Sequence, residues 1–323
     1  MVARSFPSGF AHGTCLNNEV GVRWLLLSEE SMRIILFVLF SASVLAAEPS
    51  RLQQNMERIT RSVNAKWGIY VKVLETGEEI AINADRQMDT MSTIKIPLMV
   101  EAFHQVEAGK FSLTDAVTLT EEMKRPGTGV LRSLDAGARI TIKDTLTLMN
   151  IISDNSATDI LFEKVGGPEA VNSRLEKEGY RHMRATTPAS GWFAALRGAQ
   201  SAADFHRQGK SAYGLSSARE MGQMLERIAK GEAVSKAASG QMMTMLRGQI
   251  YSSRLPKYVT GFRVAHKTGD FLPYIGNDVG VFESPKRNIV VCVFTANHYG
   301  VAAQLEDAIA RIGELIANHY AVE

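Results

Sequence analysis

What most limits the fold is how periodicity is distributed along the chain. Strand-like segments stand at both ends and helix-like segments fill the middle. Near the front, "WGIYVKVLETGEEIAINAD" reads as two strands joined at Thr76-Gly77, a hairpin. Near the end, "FRVAHKTGD", "NDVGVFES" and "NIVVCVFTA" read as three neighbouring strands, the last two joined by a turn at Pro285-Lys286-Arg287-Asn288. Between them, "TIKDTLTLMNII" and "ATDILFEKV" have helical spacing, separated by "SDNS", and Gly166-Gly167-Pro168 stops the second. A helix is predicted from about Ser92 to Ala108, ending at Gly109, with Pro97 tolerated in its first turn. "SSAREMGQMLERIAKG" carries a predicted capping box, Ser217 with Glu220, before an apolar stripe at Met221, Leu225 and Ile228. "AAQLEDAIARIGELIANHY" closes the chain as an amphipathic helix. A sheet drawn from both ends must bring those ends together. The expected fold is therefore α/β (α+β): one antiparallel sheet from both termini with flanking helices, and an inserted all-helical lobe. The sheet part is expected at 50–91 and 255–323 and the helical part at 92–254, with a site where the two meet.

The first 47 residues read differently. From Met32, "MRIILFVLFSASVLAAEPS" has a positive Arg33, an apolar core from Ile34 to about Val44, and small residues ending at Ala46 and Ala47. That is the layout of a cleavable export signal, and its apolar run is short for a membrane span. Residues 32–47 are expected to be a signal peptide, and residues 1–31 an upstream extension before a start at Met32. The mature protein, 48–323, is then expected to be periplasmic or secreted, without a stable membrane span, and monomeric. Of the cysteines, Cys15 falls in the leader and Cys292 in an apolar run, so no internal disulfide is expected and Cys292 fills core space. A net charge of +2 and the absence of a basic run or zinc-finger spacing give no sign of nucleic-acid binding. The histidines have no metal spacing such as H-E-x-x-H, and no cofactor is expected.

Ser92-Thr93-Ile94-Lys95 opens an apolar run, "MDTMSTIKIPLMVEAF". By itself it fits either a helix cap with an exposed lysine or a nucleophile with its own base. Two further tripeptides change the weighing. Ser153-Asp154-Asn155 lies between two predicted helices, and Lys267-Thr268-Gly269 lies on a predicted strand. Each is expected by chance in roughly a few per cent of chains of this size.

Together the three motifs match the signature set of penicillin-recognising serine enzymes. From about Ser50 to the C-terminus the chain resembles class A β-lactamases and the similar class A-like penicillin-binding proteins, also through "PGTGVLR", "SDNSATDIL", "VGGPEAVN" and "HKTG" followed by "GNDVGVF". The resemblance implies the β-lactamase/transpeptidase-like fold, a sheet domain plus a helical domain. It also implies a β-lactam or a D-alanyl-D-alanine peptide as the small-molecule partner. Ser92 at a helix N-terminus is the expected nucleophile and Lys95, one turn on, its base, with Lys267 nearby lowering the ammonium's pKa. Ser153 resembles the family's proton shuttle, and Asn155 the side chain that holds the substrate amide and the lysine. Lys267 and Thr268 are expected to bind a carboxylate, and the amides of Ser92 and Asp270 to form the oxyanion hole. Gly269 is expected to let the substrate lie close to its strand. Asp154, "GNDVG" and His266 read as structural.

The pattern departs from the family in two places. Class A β-lactamases carry a glutamate on the loop after the "SDN" helix, where it positions the water that frees the acyl-enzyme. Here no Asp or Glu occurs from Gly179 to Ala203, and Asp204 lies well beyond the corresponding place near Ala189. The aromatic pair Trp192-Phe193 is expected chiefly to pin this long loop to the body. Gly276 stands where many relatives have an arginine that anchors the carboxylate. The expected function is an exported serine hydrolase that opens β-lactams through acyl-Ser92, with slow deacylation. The alternatives are a D-alanyl-D-alanine carboxypeptidase or esterase, and a covalent sensor without turnover.

Overall fold

The computed structural model describes residues 50–210 and 212–321. The expected signal peptide at 32–47, the extension 1–31 and Cys15 lie outside the described residues. In chain order the elements are α1 (Arg51–Ser62), β1 (Lys66–Val73), β2 (Glu79–Ile82), β3 (Met88–Asp89), α2 (Lys95–Glu107), β4 (Ala116–Thr118), β5 (Arg139–Thr141), α3 (Ile142–Ile151), α4 (Asn155–Val165) and α5 (Gly167–Lys177). They continue as β6 (Arg184–Ala185), α6 (Ala189–Arg197), α7 (Ala202–Arg207), β7 (Gly214–Ser216), α8 (Ala218–Lys230), α9 (Lys236–Arg247), β8 (Arg263–Phe271), β9 (Ile275–Glu283), β10 (Asn288–Ala296) and α10 (Ala302–Ala321).

The main sheet has five strands in the order β2-β1-β10-β9-β8, and every pairing is antiparallel. β1 joins the C-terminal strands through β10, with Lys66 opposite Ala296 and Val73 opposite Ile289. Alternation along these strands sorts residues onto two faces. Ile69, Val71, Val291 and Val293 pack outward with Leu305, Ile309 and Ile312 of α10 and with Leu52 and Met56 of α1. Tyr70, Val290, Cys292 and Phe294 pack inward with Met221, Leu225 and the rest of the larger core. Because helices cover both faces, β1 and β10 are almost continuously apolar instead of alternating with polar residues. Cys292 is a buried free thiol, as a core filler would be.

Three sequence expectations need correction. The lobe is not all-helical: it carries a three-stranded ribbon, β3-β7-β6, and a two-stranded one, β4-β5. Nor does all of 92–254 belong to it. α8 lies against β1, β9 and β10, and α9 against β8, so their stripes cover the sheet. The predicted capping box at Ser217 is only half formed. Ser217 Oγ accepts the Glu220 amide, but the Glu220 carboxylate accepts the amides of Arg181 and His182, tying down a loop instead. A complete box, which the sequence reading passed over, caps α3 at Thr141 and Asp144.

Candidate active site

Two turns and one strand edge supply the groups that meet between sheet and lobe. The first turn, Met91–Ile94, is a 3-10 segment leading into α2, so Ser92 sits just before the α-helix. Met91, immediately before Ser92, has φ +45°, and Ser153 has φ +55°. Left-handed backbone at such side chains costs about 1–3 kcal/mol each and needs a surrounding frame to hold it. For Ser153 the frame is visible. Thr128 Oγ1 donates to its carbonyl at 2.7 Å and Lys95 Nζ at 2.8 Å. Asp154 then caps α4 through the Ala157 amide at 2.9 Å. Its second oxygen accepts the amides of Val130 and Leu131 at 2.7 and 2.9 Å, which binds the "PGTGVLR" loop to the turn. Asp154 is thus the structural residue expected of it.

The edge strand β8 lies against the turn that carries Ser92. A Cβ built on Gly269 would collide with Thr90 O and come within 3.1 Å of Ser92 N. Its missing side chain makes room for the protein's own main chain, so β8 can close on the Ser92 turn. The same approach brings Ser92 and Asp270 to the lining of one cavity. His266 and Asp278 bond to each other at 2.8 Å inside the sheet, and Leu255 N donates to the same aspartate at 3.0 Å, as fits structural residues.

Lys95 and Lys267 are completely buried. Lys95 Nζ donates to Ser153 Oγ and to Asn155 Oδ1, both at 3.0 Å. Lys267 Nζ donates to the same Ser153 Oγ at 3.0 Å and to Thr268 O at 3.0 Å. Two amine N–H donors on one hydroxyl use both of its lone pairs, which leaves its proton free to be donated into the cavity that Ser153 lines. Burial above all, then the charge of Lys267, holds Lys95 well below the ordinary lysine range. Burial likewise lowers Lys267 to about 7, with Arg254 adding to the effect while Asp270 and Asp278 oppose it. Such an amine can be neutral near neutral pH and accept a proton. In this structure Lys95 Nζ is engaged with Ser153 and Asn155, not with the Ser92 hydroxyl. Ser92 is half-buried at the cavity wall. Thr268 is buried beside the site with its Oγ1 unpartnered.

The cavity, of about 310 Å³, is lined by Ser92, Ser153, Asn155 and Asp270 on one side and by apolar groups on the other. α6 supplies Ala189, Trp192, Phe193 and Leu196 to that apolar wall. Trp192 meets Phe193, Phe205 and Phe271 edge-to-face at centroid distances of 5.0, 5.6 and 5.2 Å. Trp192 and Phe193 therefore do more than pin the loop: they also face the cavity. Ala189, at the place expected for the family's glutamate, faces it too. Its amide and that of Ser190 donate to Asp159 at 2.6 and 2.9 Å, and Arg125 holds the same carboxylate at 2.6 Å. Asp204 does not line the cavity. It stands in the first turn of α7, accepts from the N-cap Ser201 Oγ at 2.7 Å and pairs with Arg207 at 2.8 Å, so it is no substitute for that glutamate.

Sequence reasoning left out Gly127, Thr128 and Tyr213, which line the cavity, and Arg254, which pairs with Asp270. "PGTGVLR" could have pointed to the first two. Nothing in the sequence marked Tyr213 or Arg254. Gly276, in the place of the relatives' arginine, is buried on β9 and bonded to Thr295 at 2.9 Å. Among the described residues no cluster of His, Cys, Asp or Glu could hold a metal ion.

Comparison with known proteins gives one consistent result. The sequence model of the "Beta-lactamase enzyme family" matches residues 51–320. The extended-spectrum beta-lactamase PER-1 of Pseudomonas aeruginosa is 25% identical over 291 residues, covering 87% of this chain and 91% of its own. Beta-lactamase VEB-1 of the same organism is 22% identical over 303 residues, covering 89% and 96%. Among solved structures, a beta-lactamase from Sphaerobacter thermophilus DSM 20745 superposes with a TM-score of 0.73 at 29% identity, covering 84% of this chain and 97% of its own. PBP-A superposes with a TM-score of 0.73 at 21% identity, covering 85% of this chain and 97% of its own, a likeness of fold alone.

Proposed function

The chain belongs to the beta-lactamase enzyme family as a class A β-lactamase-like hydrolase, and from that premise we propose that it opens β-lactams through an ester on Ser92 and releases the product slowly. Lys95 takes the Ser92 proton as Oγ attacks the lactam carbonyl. The amides of Ser92 and Asp270 hold the oxyanion. Ser153, bonded to both lysines, returns a proton to the departing nitrogen, and Asn155 orients the substrate amide. The observation that carries this reading is the single Ser153 hydroxyl at 3.0 Å from both buried amines, beside a cavity that Ser92 lines.

Slow release follows from the opposite wall. Hydrolysis needs a base to activate water, worth about a hundred- to ten-thousand-fold. The wall formed by α6 offers Ala189 and aromatic rings, and the nearby Asp159 is fully engaged by Arg125 and two amides. The same observation favours a second reading, a D-alanyl-D-alanine carboxypeptidase or esterase for which β-lactams are persistent acylating inhibitors. Residues 32–47 support export to the periplasm or beyond. Among the described residues no helix is long and apolar enough to cross a membrane.

Intact mass followed over time with a chromogenic β-lactam tests the proposal. A single adduct on Ser92 that decays over minutes, with slow steady colour, is the expected result. D-alanine release from a peptide, together with a lasting adduct, selects the second reading. No adduct, or an adduct that survives Ser92→Ala, overturns the serine assignment.

A further inference from the structure

Among the described residues, four buried side-chain polar atoms lack a hydrogen-bond partner, and of their residues only Tyr213 lines the cavity. Tyr213 is buried, so leaving its hydroxyl unpaired costs about 1–3 kcal/mol. Its main chain is held on both sides: Tyr213 N donates to Asp89 Oδ1 at 3.4 Å, and Tyr213 O accepts from Thr186 N at 3.3 Å. The next residue ties it to the turn of the nucleophile. Gly214 O accepts from Thr90 N at 2.9 Å, and a Cβ on Gly214 would strike Ile94 and Thr90, which flank Ser92. The phenol also feels the charge of Asp159, the residue that holds the Ala189 amide at 2.6 Å. Tyr213 is thus fixed relative to Ser92 and to the place expected for the family's glutamate. Thr158 lies beside the phenol but outside hydrogen-bonding geometry, and its Oγ1 donates to Asp154 O at 2.6 Å. Since the protein supplies no partner, the hydroxyl's partner must come from the cavity. Burial above all, then Asp159, holds the phenol well above its ordinary range, so it stays protonated at neutral pH. It can donate or accept a hydrogen bond but cannot take a proton. The cavity of about 310 Å³ far exceeds the roughly 30 Å³ of one water. Asn155, in the same lining, gives one amide hydrogen to Pro126 O at 3.0 Å and keeps a second.

We propose that Tyr213 is a positioning residue for release: its hydroxyl holds the water that attacks the Ser92 ester, in the space that Ala189 leaves. The proposal rests on acylation of Ser92 and concerns only how the ester is discharged. In that step the water oxygen bonds to the acyl carbon while one of its protons passes to neutral Lys95. The tetrahedral adduct then breaks its bond to Ser92 Oγ, Lys95 returns the proton to that oxygen, and the product leaves as a free acid. Tyr213 contributes orientation alone, which lowers the barrier without supplying a base, so release proceeds but stays slow.

The test uses the mature protein, its Tyr213→Phe variant and a chromogenic cephalosporin. Formation of the adduct is read from the burst of colour, and its decay from intact mass after excess probe is removed. Tyr213→Phe keeps the ring and removes one oxygen. Decay is expected to slow about tenfold while formation changes by less than about twofold, a split that a loosened fold would not produce. The melting temperature should hold or rise, because the variant removes a buried hydroxyl that has no partner in the protein. A second measurement does not depend on acylation. A crystal structure of the unliganded protein should show an ordered water within hydrogen-bond distance of Tyr213 Oη, and the same structure of Tyr213→Phe should lack it. Unchanged decay, an equal fall in formation and decay, a lower melting temperature, or a Tyr213 Oη bonded to Thr158 or to the ligand of an acyl-enzyme overturns the proposal and leaves Ser92 acylation intact. If the probe forms no adduct with the wild-type protein, the acylation reading falls and the proposal with it.

Discussion

The two walls of the cavity are built from opposite materials. The floor is a buried polar network in which Lys95, Ser153, Asn155 and Lys267 satisfy one another at 3.0 Å. The opposite wall, from α6 and strand end Phe271, is a set of aromatic rings packed edge-to-face. A buried network holds protons in place, and its members shift one another's affinity for them. An apolar wall excludes water and shapes a ligand but moves no proton. The contrast teaches that forming the ester and hydrolysing it are separable demands on different parts of the fold. On the proposed reading, the floor serves the first and the aromatic wall leaves the second slow.

The sharpest break is Ser92→Ala, which should lower the rate of covalent labelling by on the order of 10⁴-fold or more while leaving the far-UV spectrum unchanged. Lys95→Ala comes next. It removes the base and strands the acceptors of Asn155 and Ser153, so acylation should fall by about 10²–10⁴-fold in stopped-flow measurements. On the other side, Trp192→Ala should cost about 3 kcal/mol of unfolding free energy, read by denaturant titration, because the ring fills space among Phe193, Phe205 and Phe271. If labelling of Ser92 falls as far as stability does, the two walls are less independent than argued. Ala189→Glu would give the aromatic wall a carboxylate. Adduct decay should then quicken about tenfold, with a smaller change in its formation.

The smallest effect is a slope in stability with pH. Lys267 is lowered to about 7 in the folded protein and stands near 10.5 when unfolded. Between those values the unfolded chain binds more protons, so unfolding free energy should rise as pH increases from about 7 toward 10. Below about 7 both states hold the proton, and the full penalty of burying the charge is present. Lys267→Met should flatten that slope in thermal melts taken across the range. An unchanged slope would mean that the floor does not hold its amines as described.

Legibility followed the same division. Ser92, Lys95, Ser153, Asn155 and Lys267 stood out because they belong to three short motifs, each on a recognisable turn or strand, that together resemble one family's signature. Arg254 did not: an arginine before Leu255-Pro256 looks like any surface cation until the fold buries it against Asp270. Gly269 was legible as a glycine but not as a packing residue, since its neighbour, the Ser92 turn, is 175 or more positions away in sequence and only the sheet brings it near. Ser217 promised a capping box, but tertiary contact with the 181–182 loop offered the Glu220 carboxylate better donors. Trp192 and Phe193 announced an apolar anchor without saying that its other side would face a ligand.

By itself the sequence determined the sheet drawn from both termini, the helical segments between, and the hydroxyls and amines available for chemistry. These depend on periodicity and on motifs spanning a few residues, where local physics dominates. Only the tertiary structure decided that Lys95 and Lys267 share one hydroxyl, that both are stripped of water, and that Tyr213 lines the cavity with its hydroxyl unpartnered. Burial and charge proximity are properties of segments far apart in the chain, and the energies that perturb a proton's affinity exist only once those segments have closed around a common space.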